Sequence, residues 1–412
     1  MAPDYRFTPA FENPTGSAIR ELFKYLSVPG MISFAGGYPA SAFFDQVGLQ
    51  DAADQAMRET PSDCLQYAAT EGLPALLEQL VGLMGRRGVA VRADEMVVTT
   101  GSQQGFDLLL KVLLAPGAAV LVECPTYPAA LQALRLAGAQ VLSAATDADG
   151  LDTDALAQQL AGRTPGDVAM LYCVPTFANP TGACLPLARR VALLELAVAH
   201  DFLVIEDDPY GALRFAGDEV PSLLALSRRV EGAEGRVIHL SSLSKVLAPG
   251  LRVGWMVAPA AIRQRCLVAK QTVDLCTSPW TQRIAANYLA AGALERALPG
   301  LAEGYRKKCE RMLAGLQPLA EYLEVSAPAG GMFVWGRCRH GLDAKALLPR
   351  AIEHRVLFVP GSAFYAHDPD PSSIRLSFAA PGLADIDEGL QRLRRAFLSQ
   401  RREPRGVFEE TR

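Results

Sequence analysis

Paired cysteines and clustered histidines are absent from this chain of 412 residues. Its eight cysteines are scattered, with no CxxC pair, so we expect reduced thiols and a cytosolic compartment. Its five histidines form no HExxH motif or similar group. Because metal sites usually show such clusters in the sequence, we expect no bound metal ion.

Long hydrophobic runs and blocks of one charge are missing as well. No apolar stretch is long enough to span a bilayer, and the N-terminal segment has no apolar signal core. The net charge is −4, and no basic block predicts a nucleic-acid surface. We therefore expect a cytoplasmic protein that binds neither membranes nor nucleic acid. Half of the residues are hydrophobic, which supports a large core and two domains.

Short apolar runs alternate with helical segments between about residues 95 and 260. The predicted strands are 96–100, 119–123, 168–172, 202–206, 237–241 and 253–258, and the predicted helices include 102–113, 129–136 and 186–200. Continuous apolar strands that alternate with helices indicate an α/β fold, with a mostly parallel sheet sandwiched by helices. In such a fold, functional residues lie in loops beyond the carboxyl ends of the strands.

The pattern changes after about residue 260 and predicts a smaller α+β domain. Helical stretches cover roughly 279–320, 343–354 and 383–400, and strands are predicted at 331–335, 356–360 and 373–378. Residues Gly16–Leu26 also look helical, and Pro29 with Gly30 ends that segment. The predicted organisation is an N-terminal arm or helix (1–44) that packs with the small domain and the active-site mouth, a large cofactor-binding domain (45–295) and a small C-terminal domain (296–412).

Lys245 is the most informative residue of the chain. It lies in the run SSLSKVLAPGLRVGW, after hydroxyls at Ser242 and Ser244 and before Arg252. A lysine that forms a Schiff base with pyridoxal phosphate needs such a setting, because hydroxyls and a guanidinium hold the phosphate. An arbitrary lysine in a polar loop is usually a surface residue. Here the flanking residues and the upstream motifs favour the covalent role.

Two motifs near the first strand ends suit a planar, phosphorylated ligand. TTGSQQG places Gly101, Ser102 and Gln103 where a strand gives way to a helix, whose free N–H groups attract phosphate. A serine there is otherwise an ordinary helix cap. Tyr127 follows the next strand, where its ring can stack on a flat cofactor or simply pack in the core.

The later strand ends carry an amide and adjacent carboxylates. Asn179 lies in PTFANPTG, which otherwise forms a rigid turn. EDDPYG follows a predicted buried strand, where a carboxylate needs a partner, and a protonated pyridine nitrogen facing Asp207 would supply one. Tyr210 could reach a ring hydroxyl. A solvated turn is the alternative, and we expect it for Asp208.

The order of these motifs resembles the class I and II aminotransferases of the aspartate aminotransferase fold. The likeness covers nearly the whole chain and continues through LQYAATEG, GGMFVW, FVPGSAF and IRLSFA. Within that family the chain is most similar to the subgroup of 2-aminoadipate aminotransferases and kynurenine aminotransferase II, through SAIRELFK, ISFAGGYP, GSQQG, EDDPYG and LAPGLR. It departs from that subgroup at Ala178, which is often glutamine, and at Tyr38, which is often leucine and can reshape the substrate pocket.

The resemblance implies fold type I, pyridoxal 5′-phosphate as cofactor, a homodimer, and roles for individual residues. The implied catalytic residues are Lys245, which bonds the cofactor and shuttles a proton, Asp207, which pairs with the pyridinium nitrogen, and Tyr210. The implied cofactor-binding residues are Gly101, Ser102, Gln103, Tyr127, Asn179, Asp207, Tyr210, Ser242, Ser244, Lys245 and Arg252, with Tyr67 reaching across the dimer interface. The implied substrate-binding residues are Arg375, Arg20, Gly37 and Asn179.

Two of these arginines have alternative interpretations. Arg375 would form a bidentate bond with the substrate α-carboxylate, whereas an unrelated strand arginine would make a surface ion pair. Arg20 would bind a distal carboxylate at the substrate mouth, whereas an exposed helix arginine would pair with a nearby acid. The implied reaction moves an amino group from an L-amino acid to a 2-oxo acid, 2-oxoglutarate above all, by a ping-pong mechanism. Expected donors are 2-aminoadipate, glutamate, aromatic or branched-chain amino acids.

Three other functions fit parts of the sequence. Ser242 to Lys245 also match S-x-x-K, a serine-nucleophile motif, but its companion motifs SDN and KTG are absent. A non-catalytic, effector-sensing relative from transcriptional regulators would need a DNA-binding domain, for which the roughly 30 residues before ISFAGG are too few. A β-lyase or decarboxylase would use the same cofactor without needing a 2-oxo acid.

Overall fold

The structure, a computed structural model, describes residues 5–12, 16 and 18–400. Helices α1 to α15 are Pro9–Glu12, Ala18–Glu21, Gln46–Glu59, Pro61–Leu65, Pro74–Arg86, Ser102–Leu113, Pro128–Leu136, Thr153–Leu160, Leu187–Ala199, Leu223–Ser227, Ala260–Val273, Pro279–Ala290, Ala293–Leu316, Ala344–Glu353 and Leu383–Gln400. Strands β1 to β14 are Ile32–Ser33, Met96–Thr99, Ala119–Cys124, Gln140–Asp147, Gly150–Leu151, Val168–Cys173, Leu203–Asp207, Val237–Ser242, Gly254–Val257, Leu323–Val325, Phe333–Cys338, Val356–Leu357, Val359–Pro360 and Ser373–Ser377.

Eight strands form a large sheet in the spatial order β2-β9-β8-β7-β6-β3-β4-β5. The four pairs β3·β4, β3·β6, β6·β7 and β7·β8 are parallel, and the three pairs β2·β9, β8·β9 and β4·β5 are antiparallel. The centre is therefore parallel, as predicted, and antiparallel pairs at both ends make the whole sheet mixed. Parallel neighbours need long crossovers, whereas short connections join β4 to β5 and β8 to β9.

Alternate residues of the central strands enter two different cores. In β6, Met170 and Tyr172 pack in one core, whereas Leu171 and Cys173 pack in the other. Successive strand side chains point to opposite faces, so a continuously apolar strand suits a sheet that is covered on both sides. This arrangement confirms the α/β class.

The second sheet is small and antiparallel, with the order β10-β11-β14-β13. The single strand predicted over 356–360 is wrong. Val356–Leu357 pairs with Ile32–Ser33, while Val359–Pro360 pairs with β14, and the buried Phe358 lies between them. The pairing of β1 with β12 supports our proposal that an N-terminal arm packs on a small C-terminal domain. The proposed boundary at 295 falls within α13.

Helix ends follow local chemistry that the sequence shows only in part. Asp45 caps α3 by accepting a hydrogen bond from the Gly48 amide at 2.9 Å. Pro279 occupies the first turn of α12, where a missing N–H costs nothing. The helical stretch predicted over 279–320 divides because Gly292, with φ of +66°, separates α12 from α13.

The N-terminal prediction over Gly16–Leu26 was too long. An α-helical turn covers Ala18–Glu21, and a 3-10 turn continues it over Leu22–Tyr25. Ser17 lies outside the described residues. The sequence prediction also missed β4 and the helices α3, α5, α8 and α11. No helix in the described part of the chain has both the length and the apolar character needed to cross a bilayer.

Candidate active site

The carboxyl ends of β7 and β8 bring a carboxylate and a lysine together. Asp207 is the last residue of β7, and Lys245 ends the 3-10 turn that follows β8. The Asp207 carboxylate raises the pKa of Lys245, as expected for two side chains at the same edge of the sheet. The parallel pairing of β7 with β8 thus brings Asp207 and Lys245 to the same edge of the sheet, although β8 and the long connection before it separate them in the sequence.

Asp207 is buried with one oxygen bonded and the other oxygen free. Its Oδ2 accepts a hydrogen bond from the Tyr172 hydroxyl at 2.7 Å. Its Oδ1 has no hydrogen-bond partner among the described residues. Burial raises the pKa of Asp207 to about 6, and the Tyr172 hydrogen bond opposes that rise. A buried carboxylate with an unused acceptor fits a protonated ring nitrogen as its missing partner.

The carboxylates on either side of Asp207 point to the opposite face of the sheet. Asp208 is 3% exposed, so our prediction of a solvated turn is wrong. Its Oδ2 accepts a hydrogen bond from Arg87 at 2.7 Å, and Oδ1 accepts one from the Gly211 amide at 2.8 Å. The Glu206 carboxylate lies 2.9 Å from Nδ1 of His239. Each acid therefore has its own partner, and only Asp207 faces the site.

Lys245 is partly buried, and its amine donates a hydrogen bond to the Gly37 carbonyl at 2.9 Å. Desolvation first, and then the positive charges of Arg375 and Arg252, lower the pKa of Lys245 to about 8, while the Asp207 carboxylate opposes that change. The neutral fraction of the amine near physiological pH is therefore far larger than that of an exposed lysine, although the protonated form still predominates. A neutral lysine amine is the form that attacks a carbonyl carbon.

Gly101 and Arg252 form a tight corner at the start of α6. Gly101 has φ of +78°, which disfavours any residue with a side chain, and a Cβ on it would also lie 2.5 Å from Nη2 of Arg252 and displace that guanidinium. Arg252 donates from Nη2 to the Thr100 carbonyl at 3.2 Å. Ser102 begins α6, whose first-turn N–H groups have no helical acceptor. Backbone donors beside a guanidinium can hold a phosphate.

Other predicted cofactor residues lie on this corner or close to it. Ser242 accepts a hydrogen bond from the Ser244 amide at 3.1 Å, and their hydroxyl oxygens lie 2.8 Å apart. Gln103 is exposed on the first turn of α6. Gly254 was missed by the prediction: a Cβ there would lie 2.6 Å from the Ser102 nitrogen. Close approach of β9 to the corner thus requires glycine.

Arg375 is almost completely buried, which excludes the surface ion pair considered for it. Its Nη1 donates to Oδ1 of Asn179 at 2.7 Å, and its Nη2 donates to the Ala35 carbonyl at 2.6 Å. The guanidinium carbon lies 4.3 Å and 4.8 Å from the ring centroids of Phe333 and Phe364. Burial lowers the pKa of Arg375 to about 10. No acidic residue pairs with this cation among its described contacts, so it suits an anionic ligand.

Two tyrosines line the space between these groups. Tyr210 packs edge-on against Phe333, with ring centroids 5.8 Å apart. Burial raises the pKa of Tyr210, and a hydrogen bond from Asn179 opposes that rise. Burial and then the Asp207 charge raise the pKa of Tyr127, while Arg375 and Arg20 lower it. Tyr127 therefore lies within electrostatic reach of both the cofactor residues and the substrate residues.

The remaining predicted residues lie at the mouth of the site or outside it. A Cβ on Gly37 would lie 3.0 Å from the Phe333 ring. Arg20 is exposed on α2, and Tyr38, 48% exposed, packs against Phe23 at 5.7 Å between ring centroids. Tyr67 is 78% exposed, so its ring does not enter a buried site within this protomer.

Comparisons with known proteins agree with this geometry over almost the whole chain. Residues 40–393 match the sequence profile of the family described as aminotransferase class I and II. The chain is 40% identical over 381 residues to the 2-aminoadipate transaminase of Thermus thermophilus, a match that covers 92% of this chain and 93% of that protein. It is 36% identical over 381 residues to aromatic-amino-acid aminotransferase 1 of Thermococcus litoralis, with 92% and 90% covered.

The fold is also shared with a solved structure. The chain superposes with a TM-score of 0.88, at 38% identity, on the Pyrococcus horikoshii kynurenine aminotransferase in complex with PMP, with 96% of this chain and 97% of that chain covered. The similarity therefore extends to both sheets and does not rest on a single motif.

Proposed function

This chain belongs to the class I and II aminotransferases, which use pyridoxal 5′-phosphate, and from that premise we propose its reaction and the roles of its residues. It moves an amino group from an L-amino acid to 2-oxoglutarate in two half-reactions that use one site in turn. The observation that supports this most is the buried Arg375, which has no acidic partner among its described contacts, beside a Lys245 amine whose pKa is lowered to about 8. That pair provides a place for an α-carboxylate and a base for the α-proton.

The cofactor would be held at three points. The corner of Gly101, Ser102 and Arg252, together with Ser242 and Ser244, holds the phosphate, while Gln103 and Tyr67 supply further contacts. Asp207 offers its free Oδ1 to the ring nitrogen, and Tyr210 with the Asn179 amide bonds the ring hydroxyl oxygen. Tyr127 stacks on the ring. When bound, pyridoxal phosphate supplies a reactive carbonyl and an electron-withdrawing ring.

Lys245 has two tasks in this proposal. Its neutral amine would hold the cofactor through the reactive carbonyl group until an amino donor takes that place. The freed amine would then be the base that accepts the proton from the substrate Cα and holds it for return. A pKa of about 8 suits both directions, because a base matched to the working pH can accept and return a proton.

Arg375 fixes the orientation of the donor. Asn179 and Ala35 hold Nη1 and Nη2, so the guanidinium is oriented before any ligand arrives. A carboxylate bonded to it in a bidentate manner would keep Cα in one position relative to Lys245. The same contact serves amino donors and 2-oxo acids, since both carry a carboxylate next to the reacting carbon.

A panel of donors tests this function. 2-Aminoadipate, glutamate, phenylalanine and leucine should each be converted only when 2-oxoglutarate is supplied, with initial rates that show parallel-line kinetics. Turnover of a donor without any 2-oxo acid would instead identify a lyase or a decarboxylase. Absence of turnover for every pair would contradict the proposed substrates.

We propose that Arg20 selects dicarboxylic donors, because its charge reaches Tyr127 and Tyr38 while its side chain stays exposed at the mouth. Arg20→Ala should raise KM for 2-aminoadipate and glutamate by about tenfold, the value of one charge-assisted contact, and leave KM for leucine within about twofold. Lys24→Ala, which removes a cation from the same segment, is the control. Equal losses for both substrate types would reject selective recognition.

We propose a homodimer in which Tyr67 contacts the cofactor phosphate of the neighbouring subunit. The exposed Leu65 and Tyr67, at 74% and 78%, are large apolar side chains that a second subunit would cover. Tyr67→Phe should weaken cofactor binding by about tenfold, since a hydrogen bond to a charged group is lost, and should leave the dimer intact. Sedimentation velocity and cofactor titration measure the two effects. A fully active monomer would disprove the arrangement.

A further inference from the structure

Lys270, on α11, is a completely buried cation next to the proposed phosphate corner. Its side chain is 0% exposed. Its amine lies 2.8 Å and 2.9 Å from the two carboxylate oxygens of Asp274, and 3.1 Å from both Oε1 of Gln104 and Oγ1 of Thr277. Four acceptors surround this amine, so it is not free for covalent chemistry.

The partners of Lys270 converge on Thr100, the residue just before Gly101. Oε1 of Gln104 accepts a hydrogen bond from the Thr100 amide at 2.8 Å. Oδ2 of Asp274 accepts from the Thr100 hydroxyl at 3.1 Å and from Nε2 of Gln104 at 2.7 Å. Arg252 holds the Thr100 carbonyl. The amide, hydroxyl and carbonyl groups of Thr100 are therefore each fixed by the side chain of another residue.

This fixation matters because the next residues carry the proposed phosphate donors. Gly101 has a positive φ, and glycine has the widest choice of backbone conformations. A loop that can adopt several conformations presents its N–H groups to an anion only part of the time. Anchoring Thr100 removes that freedom before the ligand binds, which is how preorganisation increases affinity.

A buried ion pair is a costly way to obtain stability alone. An apolar pair of similar volume is often equally or more stabilising, because no charge has to leave water. The Lys270–Asp274 pair joins α11 to Thr100 through directional bonds that apolar side chains cannot make. A positioning role explains why charged groups occupy this place.

We propose that Lys270, Asp274 and Gln104 form a positioning network that fixes Thr100 and Gly101 for recognition of the cofactor phosphate. The inference rests on the proposed function, in which the Gly101–Arg252 corner holds that phosphate. The proposal predicts that variants of the network lose affinity for a phosphorylated ligand and keep their affinity for the same ligand without phosphate. A general loss of stability would weaken both.

The test measures dissociation constants of pyridoxal 5′-phosphate and of pyridoxal, which lacks the phosphate, for the cofactor-stripped protein. The ratio of the two constants isolates the phosphate contribution. Lys270→Met should reduce the preference for the phosphorylated ligand by about tenfold, the scale of one or two lost hydrogen bonds. Lys307→Met, which changes an exposed lysine, should leave the preference unchanged. Equal weakening of both ligands would overturn the proposal.

A second variant separates positioning from stability. Lys270→Met combined with Asp274→Leu replaces the ion pair with apolar side chains and should restore the thermal midpoint. The phosphate preference should stay low, because Asp274→Leu removes the acceptor of the Thr100 hydroxyl and of the Gln104 amide. Recovery of the preference together with stability would overturn the positioning role.

Arg252→Ala tests the proposed phosphate corner separately from the positioning network. If it reduces the phosphate preference and Lys270→Met does not, the positioning network is wrong while the phosphate corner stands. If Arg252→Ala leaves the preference unchanged, the proposed phosphate corner is itself wrong, and the network proposal fails with it.

Discussion

Lys245→Ala should abolish transamination while the protein still binds pyridoxal phosphate. Lys245 is the proposed base for the substrate α-proton, and its pKa of about 8 suits that role. We expect kcat to fall by at least about 10⁴-fold, the upper range for a positioned acid–base group. Cofactor binding should weaken less, because the phosphate corner, Asp207 and Tyr127 remain. The bound cofactor should show an absorption spectrum like that of its free aldehyde.

Borohydride reduction of the wild-type holoenzyme, followed by peptide mapping, identifies the bonded lysine directly. The label should appear on Lys245. Lys308 provides a matched control: burial lowers its pKa to about 8 as well, but its amine donates to the Ala379 carbonyl at 2.7 Å. The Lys308→Met variant should have the same kcat per folded molecule as the wild-type protein. A label on Lys270 or Lys308, or normal turnover by Lys245→Ala, would refute the assignment of Lys245.

The sequence was sufficient to predict which groups meet, because buried parallel strands leave few arrangements open. The continuously apolar runs in β3, β6, β7 and β8 indicate a sheet covered on both faces. Their carboxyl ends must then lie along one edge. Tyr127, Asn179 and Lys245 follow β3, β6 and β8, and Asp207 ends β7, so their proximity could be expected without a structure.

Contacts that depend on distant partners could not be predicted. Asp208 looked like a turn residue because its partner Arg87 lies 121 positions away in the sequence. Tyr172 looked like an ordinary strand residue, although its hydroxyl bonds Asp207. The run 356–360 was predicted as one strand because it is apolar throughout. In the structure its two halves pair with segments that are far apart in the sequence. In each case the neighbouring sequence is compatible with several partners, and the packing of distant segments decides which partner is present.

Asp207→Asn should reduce kcat by about 10²-fold or more, the scale of losing one preorganised electrostatic contact. The carboxylate is the proposed partner of the ring nitrogen, and a neutral amide cannot stabilise that nitrogen in its protonated form. The amide has nearly the same shape, so the change removes charge without opening a cavity. Tyr172→Phe, which removes the hydrogen bond to Oδ2 and keeps the acid, should cost far less. Comparable losses in both variants would show that orientation of Asp207, and not its charge, matters.

The same substitution should not destabilise the cofactor-free protein. The folded pKa of about 6 lies above the usual 3.8, so folding disfavours the ionised form of Asp207. That penalty is small below the usual pKa, grows as the pH rises toward 6, and is complete above it. Asparagine carries no such penalty, so the thermal midpoint of the variant relative to wild type should improve from about pH 4 to about pH 6 and stay constant above that. A midpoint difference that does not change with pH would mean that Asp207 is not desolvated as the structure indicates. The burial that raises this pKa leaves Oδ1 without a hydrogen-bond donor among the described residues, which is the acceptor that the proposed ring nitrogen would use.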